Sequence, residues 1–412
     1  MTCPPSHHDL ATRLARVGID QDPAHGAVMP PLYLSANYSF DGLEGKRRYD
    51  YSRSGNPTRD LLGEALTALE SGAGTVVTAS GMAAVDLVLA PLSPGDLIVA
   101  PHDGYGGTHR LLNARAGKGH FEVVFVDFGD AVALKAALAR SPRLVLVETP
   151  SNPLMRLTDI EAVCRAAHTA GAKVAVDNTF LSPALQQPIA LGADWVIHST
   201  TKFINGHSDV VGGAVISATL EDHERLTWWA NCLGTTGAPF DAWLTLRGLR
   251  TLFVRIERQQ ATAGDLAEWL VRQPGVRAVH YPGLADHPGH ALAKRQQAGF
   301  GAMLSLELDG GRDAARALVE GLQVFTLAES LGGVESLIAH PAGMTHAAMT
   351  PEAGPDGILR QMAAYRAALR QIWPGRRIEV AILWTATRSL MEIPDPLLDR
   401  ALATLDPADP RS

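Results

Sequence analysis

Short, uniformly apolar runs recur along the middle of the chain, at residues 75–79, 97–100, 123–126, 144–147, 174–176, 195–197 and 214–216. A strand with one wet face alternates polar and apolar positions. These runs do not alternate, so they read as strands covered on both faces. Stretches with helical spacing separate several of them, such as 131–140 and 160–170, the latter closed by Gly171. Asn56-Pro57 reads as an N-cap followed by proline at the first helical position. Leu61, Leu62, Ala65, Leu66 and Leu69 then recur at helical spacing, and Gly72 supplies a stop. Strand and helix in alternation predict an α/β fold with a mainly parallel, seven-stranded-type sheet. Such a sheet binds ligands beyond the C-terminal ends of its strands.

The pattern changes near residue 240. Longer helices are expected over 242–258 and 261–271, followed by a smaller α/β region with a strand in 301–308 and a helix in 314–322. Residues 1–58, rich in Pro and Tyr, read as an irregular arm of the kind that wraps a neighbouring subunit. The expected organisation is therefore this arm, a large α/β domain over 59–260 and a smaller C-terminal α/β domain over 261–412, with 354–387 atypical.

Composition narrows the function classes. The 36 Lys+Arg against 43 Asp+Glu give a net charge of −7 with no basic stripe, which speaks against a nucleic-acid partner. No apolar stretch approaches a membrane span, because Asp86 interrupts the one that begins at Ala83. The N-terminal residues have neither a basic start nor an apolar core, so no secretory signal is expected. Cys3, Cys164 and Cys232 are odd in number and far apart, which suits a reducing, cytoplasmic setting better than a disulfide framework.

The segment from Lys173 to Gly213 carries the chemistry. One strand runs into Asp177 and another into Ser199-Thr200-Thr201-Lys202, which places an acid and an amine at one rim of the sheet. Singly, Asp177 reads as a turn cap and Lys202 as a surface charge. Together they meet the needs of pyridoxal phosphate. Its aldehyde requires an amine that loses its proton, and its pyridine nitrogen requires a facing carboxylate. Ser199 and Thr201 can offer hydroxyls to the phosphate. Ser80-Gly81-Met82, between a strand and a helix start, can offer backbone N–H groups.

These residues and a series of ordered blocks resemble the Cys/Met-metabolism pyridoxal-phosphate enzymes of fold type I. The blocks are Tyr51-Ser52-Arg53-Ser54-Gly55-Asn56-Pro57-Thr58-Arg59, Ser80-Gly81-Met82, Tyr105-Gly106-Gly107-Thr108, Glu148-Thr149-Pro150-Ser151-Asn152-Pro153, Val176-Asp177-Asn178-Thr179-Phe180, Ser199-Thr200-Thr201-Lys202 and Gly206-His207-Ser208-Asp209, with a later one from Thr326 to Ser336. The resemblance implies that Lys202 forms the Schiff base and moves protons, that Asp177 holds the pyridinium and that Tyr105 stacks on the ring. It further implies that Gly81, Met82, Ser199 and Thr201 bind the phosphate, joined by Tyr51 and Arg53 of the adjacent subunit. Asn152 would contact the 3′-oxygen, Thr179 belongs to the cofactor-binding block of Asp177, and Arg110, Glu329 and Ser330 would line the substrate pocket. A homotetramer built as a dimer of dimers is implied as well. So is a γ-replacement that converts O-succinyl-L-homoserine and L-cysteine into L-cystathionine and succinate, in methionine biosynthesis. Asp50-Tyr51 and Trp228-Trp229-Ala230-Asn231 look more like the family's synthase branch than its lyases.

After Pro351-Glu352-Ala353 the likeness fails. The family's arginine for the substrate α-carboxylate would lie here, and Arg366, Arg377 and Arg388 compete for it; Arg377, opening a strand-like stretch, is preferred. A sulfhydrylase or γ-lyase would use the same Lys202 and Asp177, and a catalytically weakened cofactor-binding protein fits the altered C-terminus. A nicotinamide dehydrogenase is disfavoured because Val77 stands where the third glycine of G-x-G-x-x-G would follow Gly72 and Gly74. Ser80 lacks the G-x-S-x-G elbow of serine hydrolases. His287 and His290 flank a Pro-Gly turn, so no metal is expected.

Overall fold

The computed structural model describes residues 10–341, together with Arg366, Arg370, Ala381–Trp384, Ser389–Glu392 and Asp399. Seven strands build the main sheet: β1 (Gly74–Thr78), β2 (Leu97–Pro101), β3 (Glu122–Val126), β4 (Leu144–Glu148), β5 (Lys173–Asp177), β6 (Trp195–His198) and β7 (Gly213–Ser217). Their order is β1-β7-β6-β5-β4-β2-β3, with β7 antiparallel to both neighbours and the others parallel. Each expected apolar run is a strand, within about one residue at either end.

Helices cover both faces: α1 (Leu10–Ala15), α2 (Pro57–Glu70), α3 (Gly81–Leu89), α4 (Gly106–Ala116), α5 (Ala131–Leu138), α6 (Ile160–Thr169), α7 (Ser182–Leu185), α8 (Leu220–Leu233), α9 (Pro239–Leu249) and α10 (Leu252–Leu270). On one face Leu62, Leu66 and Leu69 of α2 pack with Val196, Ile216, Leu246 and Leu249. On the other, Ala84, Val85 and Val88 of α3 meet Ile98, Leu146 and Ile197. Helix α2 begins as its sequence predicts: Asn56 Oδ1 accepts from Thr58 N and Arg59 N at 3.0 and 3.2 Å. It ends one residue early, at Ser71 in the left-handed conformation (φ 58°), with Gly72 N bonded to Thr67 O.

One helix boundary differs from expectation. The break expected between residues 258 and 261 falls instead at Arg250–Thr251, and α10 runs unbroken through 261. Near this break Gly248, at the end of α9, touches the backbone of Asn205 so closely that a Cβ there would sit 2.0 Å from Asn205 O, and its carbonyl accepts from Thr251 N at 3.1 Å. Beyond α10, β8 (Val276–His280) pairs antiparallel with β9 (Ser305–Leu308), with α11 (His290–Gln296) between them and α12 (Gly311–Gly321) after. The short strands β10 (Thr326–Leu327) and β11 (Leu337–Ile338) pair in parallel, and β12 (Ala381–Trp384) pairs antiparallel with β13 (Ser389–Glu392). Among the described residues no helix is long and apolar enough to cross a membrane. The arm between α1 and α2 is irregular, carrying exposed Tyr33, Leu34, Phe40 and Leu43.

Candidate active site

The C-terminal ends of β2, β4, β5 and β6 open onto one rim, and the reversed β7 begins there. A cleft lies at this rim, lined by Ala100, Gly104, Tyr105, Glu148, Asp177 and Ile197 among others. Asp177 ends β5, its Oδ1 accepting from Thr179 N at 3.0 Å. Thr179 Oγ1 in turn accepts from Ser199 N at 2.9 Å, so one side chain ties the acid's strand to the lysine's approach. Lys202 is half-buried and its Nζ donates to Ser330 Oγ at 2.6 Å. Ser330 has φ 86°, a conformation that serine rarely adopts.

The phosphate side is shaped by missing side chains. Ser80 caps α3 by accepting from Ala83 N at 3.1 Å, which leaves the N-terminal N–H groups of α3 open. A Cβ on Gly81 would stand 2.7 Å from Ser199 Cβ, and one on Gly107 would stand 2.5 Å from the Tyr105 ring and 3.0 Å from Met82 Sδ. Gly81, Met82, Ser199 and Tyr105 are therefore neighbours around one cradle. Thr201 is placed differently: its hydroxyl accepts from Gly212 N at 3.0 Å and donates to Gly212 O at 3.2 Å, pinning the run into β7.

Electrostatics at the rim are set by burial. Burial pulls Lys202 below the usual lysine value, against the opposing pull of Glu329 and Asp177. Burial also pushes Asp177 up, while Thr179, His198 and Lys202 favour its charged form. Glu148 was not anticipated. It stands in register beside Asp177 and accepts from Tyr105 N at 2.7 Å, fixing the start of α4. Burial and the neighbouring Asp177 push Glu148 well above the carboxylate range, against the Tyr105 N–H bond that favours its charged form. A lone acid at a strand end gives no sequence signal for this.

The remaining expected residues are dispersed. Tyr51 and Arg53 lie on the arm, with Arg53 Nη1 donating to Asn231 O at 2.5 Å and its Cζ 5.7 Å from the Tyr51 ring centre. Among the described residues no hydrogen bond or ion pair joins them to Lys202. Asn152 sits in the loop after β4, between two cis X-Pro bonds. Arg110 is exposed on α4, and Glu329 is exposed beside Ser330. Arg377 and Arg388 lie outside the described residues. Arg366 is buried and paired with Asp399. His287 and His290 are engaged separately: His287 Nδ1 with Gly289 N at 3.0 Å, His290 Nδ1 with Pro282 O at 2.8 Å.

The profile of the Cys/Met metabolism PLP-dependent enzymes matches residues 11–360. The chain belongs to that family. Cystathionine gamma-synthase of Escherichia coli is 55% identical over 344 residues, 83% of this chain and 89% of that protein. Cystathionine gamma-synthase of Mycobacterium tuberculosis is 50% identical over 339 residues, 82% and 87% of the two chains. A crystal structure of cystathionine gamma synthase from Xanthomonas oryzae in complex with cystathionine superposes with a TM-score of 0.83 at 63% identity, covering 84% of this chain and 90% of that one. Fold type I, with its largely parallel seven-stranded sheet, is thereby established, as is pyridoxal phosphate as the family's cofactor. The donor set fits that group. An acid and a deprotonatable amine share a rim, and a cradle that Cβ atoms would fill faces a helix N-terminus. Cystathionine beta-lyase of Coxiella burnetii, 43% identical over 346 residues and covering 84% of this chain and 89% of that protein, shows that the family also holds lyases at similar distance.

Proposed function

We propose that this enzyme is a cystathionine γ-synthase, joining O-succinyl-L-homoserine and L-cysteine into L-cystathionine with release of succinate. The observation that carries the reading is Lys202 facing Asp177 across one sheet rim, in a chain 50–55% identical to named synthases. When bound, the cofactor supplies an electron sink that makes first the Cα and then the Cβ proton of the substrate acidic. The chain's residues do the rest. Asp177 faces the ring nitrogen and keeps it protonated, with Thr179 holding the carboxylate. Tyr105 covers the ring from α4. Gly81, Met82 and Ser199 receive the phosphate, with Thr201 supporting the loop and Tyr51 and Arg53 reaching in from the adjacent subunit. Lys202 would hold the cofactor's aldehyde and, as an amine, would take and return substrate protons, with the Ser330 hydroxyl 2.6 Å from its Nζ. Asn152 meets the cofactor's 3′-oxygen, Arg110 and Glu329 line the substrate side, and Arg377 takes the α-carboxylate.

The organisation that goes with this reading is an arm over 1–58, a cofactor domain over 59–260 and a smaller domain over 261–412, in a cytoplasmic homotetramer with shared sites. The lyase relatives favour a second reading, elimination on the same site. Purified enzyme given O-succinyl-L-homoserine is assayed with cysteine or with sulfide as acceptor, and with cystathionine alone. Cystathionine as main product supports the synthase. Faster turnover with sulfide makes it a sulfhydrylase, and net cleavage of cystathionine makes it a lyase. Full visible absorbance without any product would leave a cofactor-binding protein.

A further inference from the structure

Residues 199–206 form overlapping hydrogen-bonded turns: Lys202 N donates to Ser199 O at 3.2 Å, Asn205 N to Thr200 O at 2.9 Å and Gly206 N to Lys202 O at 2.8 Å. The far end of such a turn leaves carbonyls without intrahelical donors. Those of Phe203 and Ile204 are taken by the guanidinium of Arg255 in α10, at 2.8 and 3.4 Å, and the same group donates to Gly248 O at 2.9 Å. Thr251, one turn earlier, accepts from Arg255 Nε at 3.0 Å. The fit excludes any side chain at Gly206 (φ 72°), where a Cβ would lie 2.0 Å from Arg255 Nη1. Burial alone brings Arg255 down to about 10, with no carboxylate among its influences, so it stays cationic at neutral pH and directs its charge at peptide carbonyls.

One turn further along α10, Gln259 Nε2 donates to Gly333 O at 2.7 Å. The adjacent Gly332 (φ 81°) lies over the lysine turn, where a Cβ would be 2.5 Å from Phe203 N. One face of α10 therefore holds both the turn that carries Lys202 and the loop that carries Ser330.

We propose that Arg255 is a positioning residue for the amine: by capping the carbonyls of Phe203 and Ile204 it fixes the turn that presents Lys202 and offsets the partial negative charge at the turn's end. This rests on the reading that Lys202 carries the cofactor. The charged groups facing the amine are Glu329 from the loop and Asp177 from β5, both of which favour its protonated form. Asp209 is bonded to Asn205 and Glu335 to Ser208. Without Arg255 the carbonyl end of the turn is uncompensated and the amine is looser and better solvated, so its proton is held more tightly.

Cofactor-free protein is mixed with pyridoxal phosphate across a pH series, and the growth of visible absorbance is followed for wild type, Arg255→Ala and Arg255→Lys. Borohydride trapping with peptide mapping identifies the labelled lysine. Arg255→Ala is expected to load roughly tenfold or more slowly at neutral pH, with its pH midpoint moved upward. Ethylguanidinium in solution restores both quantities and methylammonium does not, while Arg255→Lys falls between. A merely structural role would lower the melting temperature and leave the midpoint in place; wild-type label on Lys202 with an unmoved midpoint in Arg255→Ala overturns the proposal alone. Wild-type label on another lysine overturns the underlying reading together with it. Should Arg255→Ala not fold, Thr251→Val, which removes the acceptor of the Nε contact together with the Thr251 hydroxyl's own bond to Gly248 O at 3.0 Å, is expected to shift the midpoint the same way by less, and an unmoved midpoint there overturns it equally.

Discussion

At the residue scale the site is a balance of three charges at one rim. Lys202→Ala removes the amine that moves protons, and turnover is expected to fall by on the order of 10²–10⁴-fold or more in a cofactor-loaded assay with an added amine as substitute base. Asp177→Asn keeps an acceptor for Thr179 N and so leaves the fold alone. It is expected to reduce turnover sharply while the melting temperature of the cofactor-free protein holds or rises. Glu148 yields a pH prediction. Its folded pKa stands above its unfolded one, so between the two values the folded chain binds a proton that the unfolded chain lacks. Stability of the cofactor-free protein therefore falls as pH rises from the ordinary carboxylate range toward the folded value. Glu148→Gln keeps an acceptor for Tyr105 N and removes the titration. Its thermal melts are expected to lie above wild type at neutral pH and to converge with it on acidification; parallel curves would refute the assignment of the proton to Glu148.

At the element scale, what was legible in the sequence was what local chemistry decides. The seven apolar runs became strands because burial on both faces leaves no other use for them. Asn56 became the cap of α2 because its side chain replaces two missing backbone acceptors. Asn56→Ala is expected to cost about 1–2 kcal/mol through the cap alone. It also removes the bonds that Asn56 Nδ2 donates to Tyr33 O, Tyr38 Oη and Ser52 Oγ at 3.0, 3.1 and 3.2 Å, whereas Asn56→Asp keeps the cap and loses only these arm donations. Urea titrations of the two variants separate the contributions, and equal losses would contradict the capping role. The boundary between α9 and α10 was not legible. It falls where Gly248 meets the backbone of Asn205, a contact between residues far apart in sequence. Glu148 and Arg255 escaped for the same reason: their roles come from what a distant segment places beside them. Lys202, Asp177, Gly81 and Ser199 stood out in the sequence by the demands of one cofactor and their places at strand ends, and the structure brings them to one rim.

At the scale of the whole molecule, the proposed reading makes the arm decide how many chains a working site needs. Tyr51 and Arg53 are exposed, and within one chain Arg53 turns to Asn231 rather than to the cradle of Gly81 and Ser199. Apolar groups on the arm, Tyr33, Leu34 and Phe40, share this exposure with Trp228 and Phe240. A surface of that kind suits burial against a second copy, in which Tyr51 and Arg53 complete the neighbour's phosphate cradle. The consequence is complementation. Arg53→Ala and Lys202→Ala chains are each expected to be nearly inactive alone, but a hybrid dimer pairs one intact lysine with one intact arm. Equal mixing through dissociation and reassembly is then expected to restore roughly a quarter of wild-type activity, since half the dimers are hybrids and each has one whole site. A site complete within one chain predicts no recovery at all, and an arm serving its own subunit would leave the mixture as inactive as its parents.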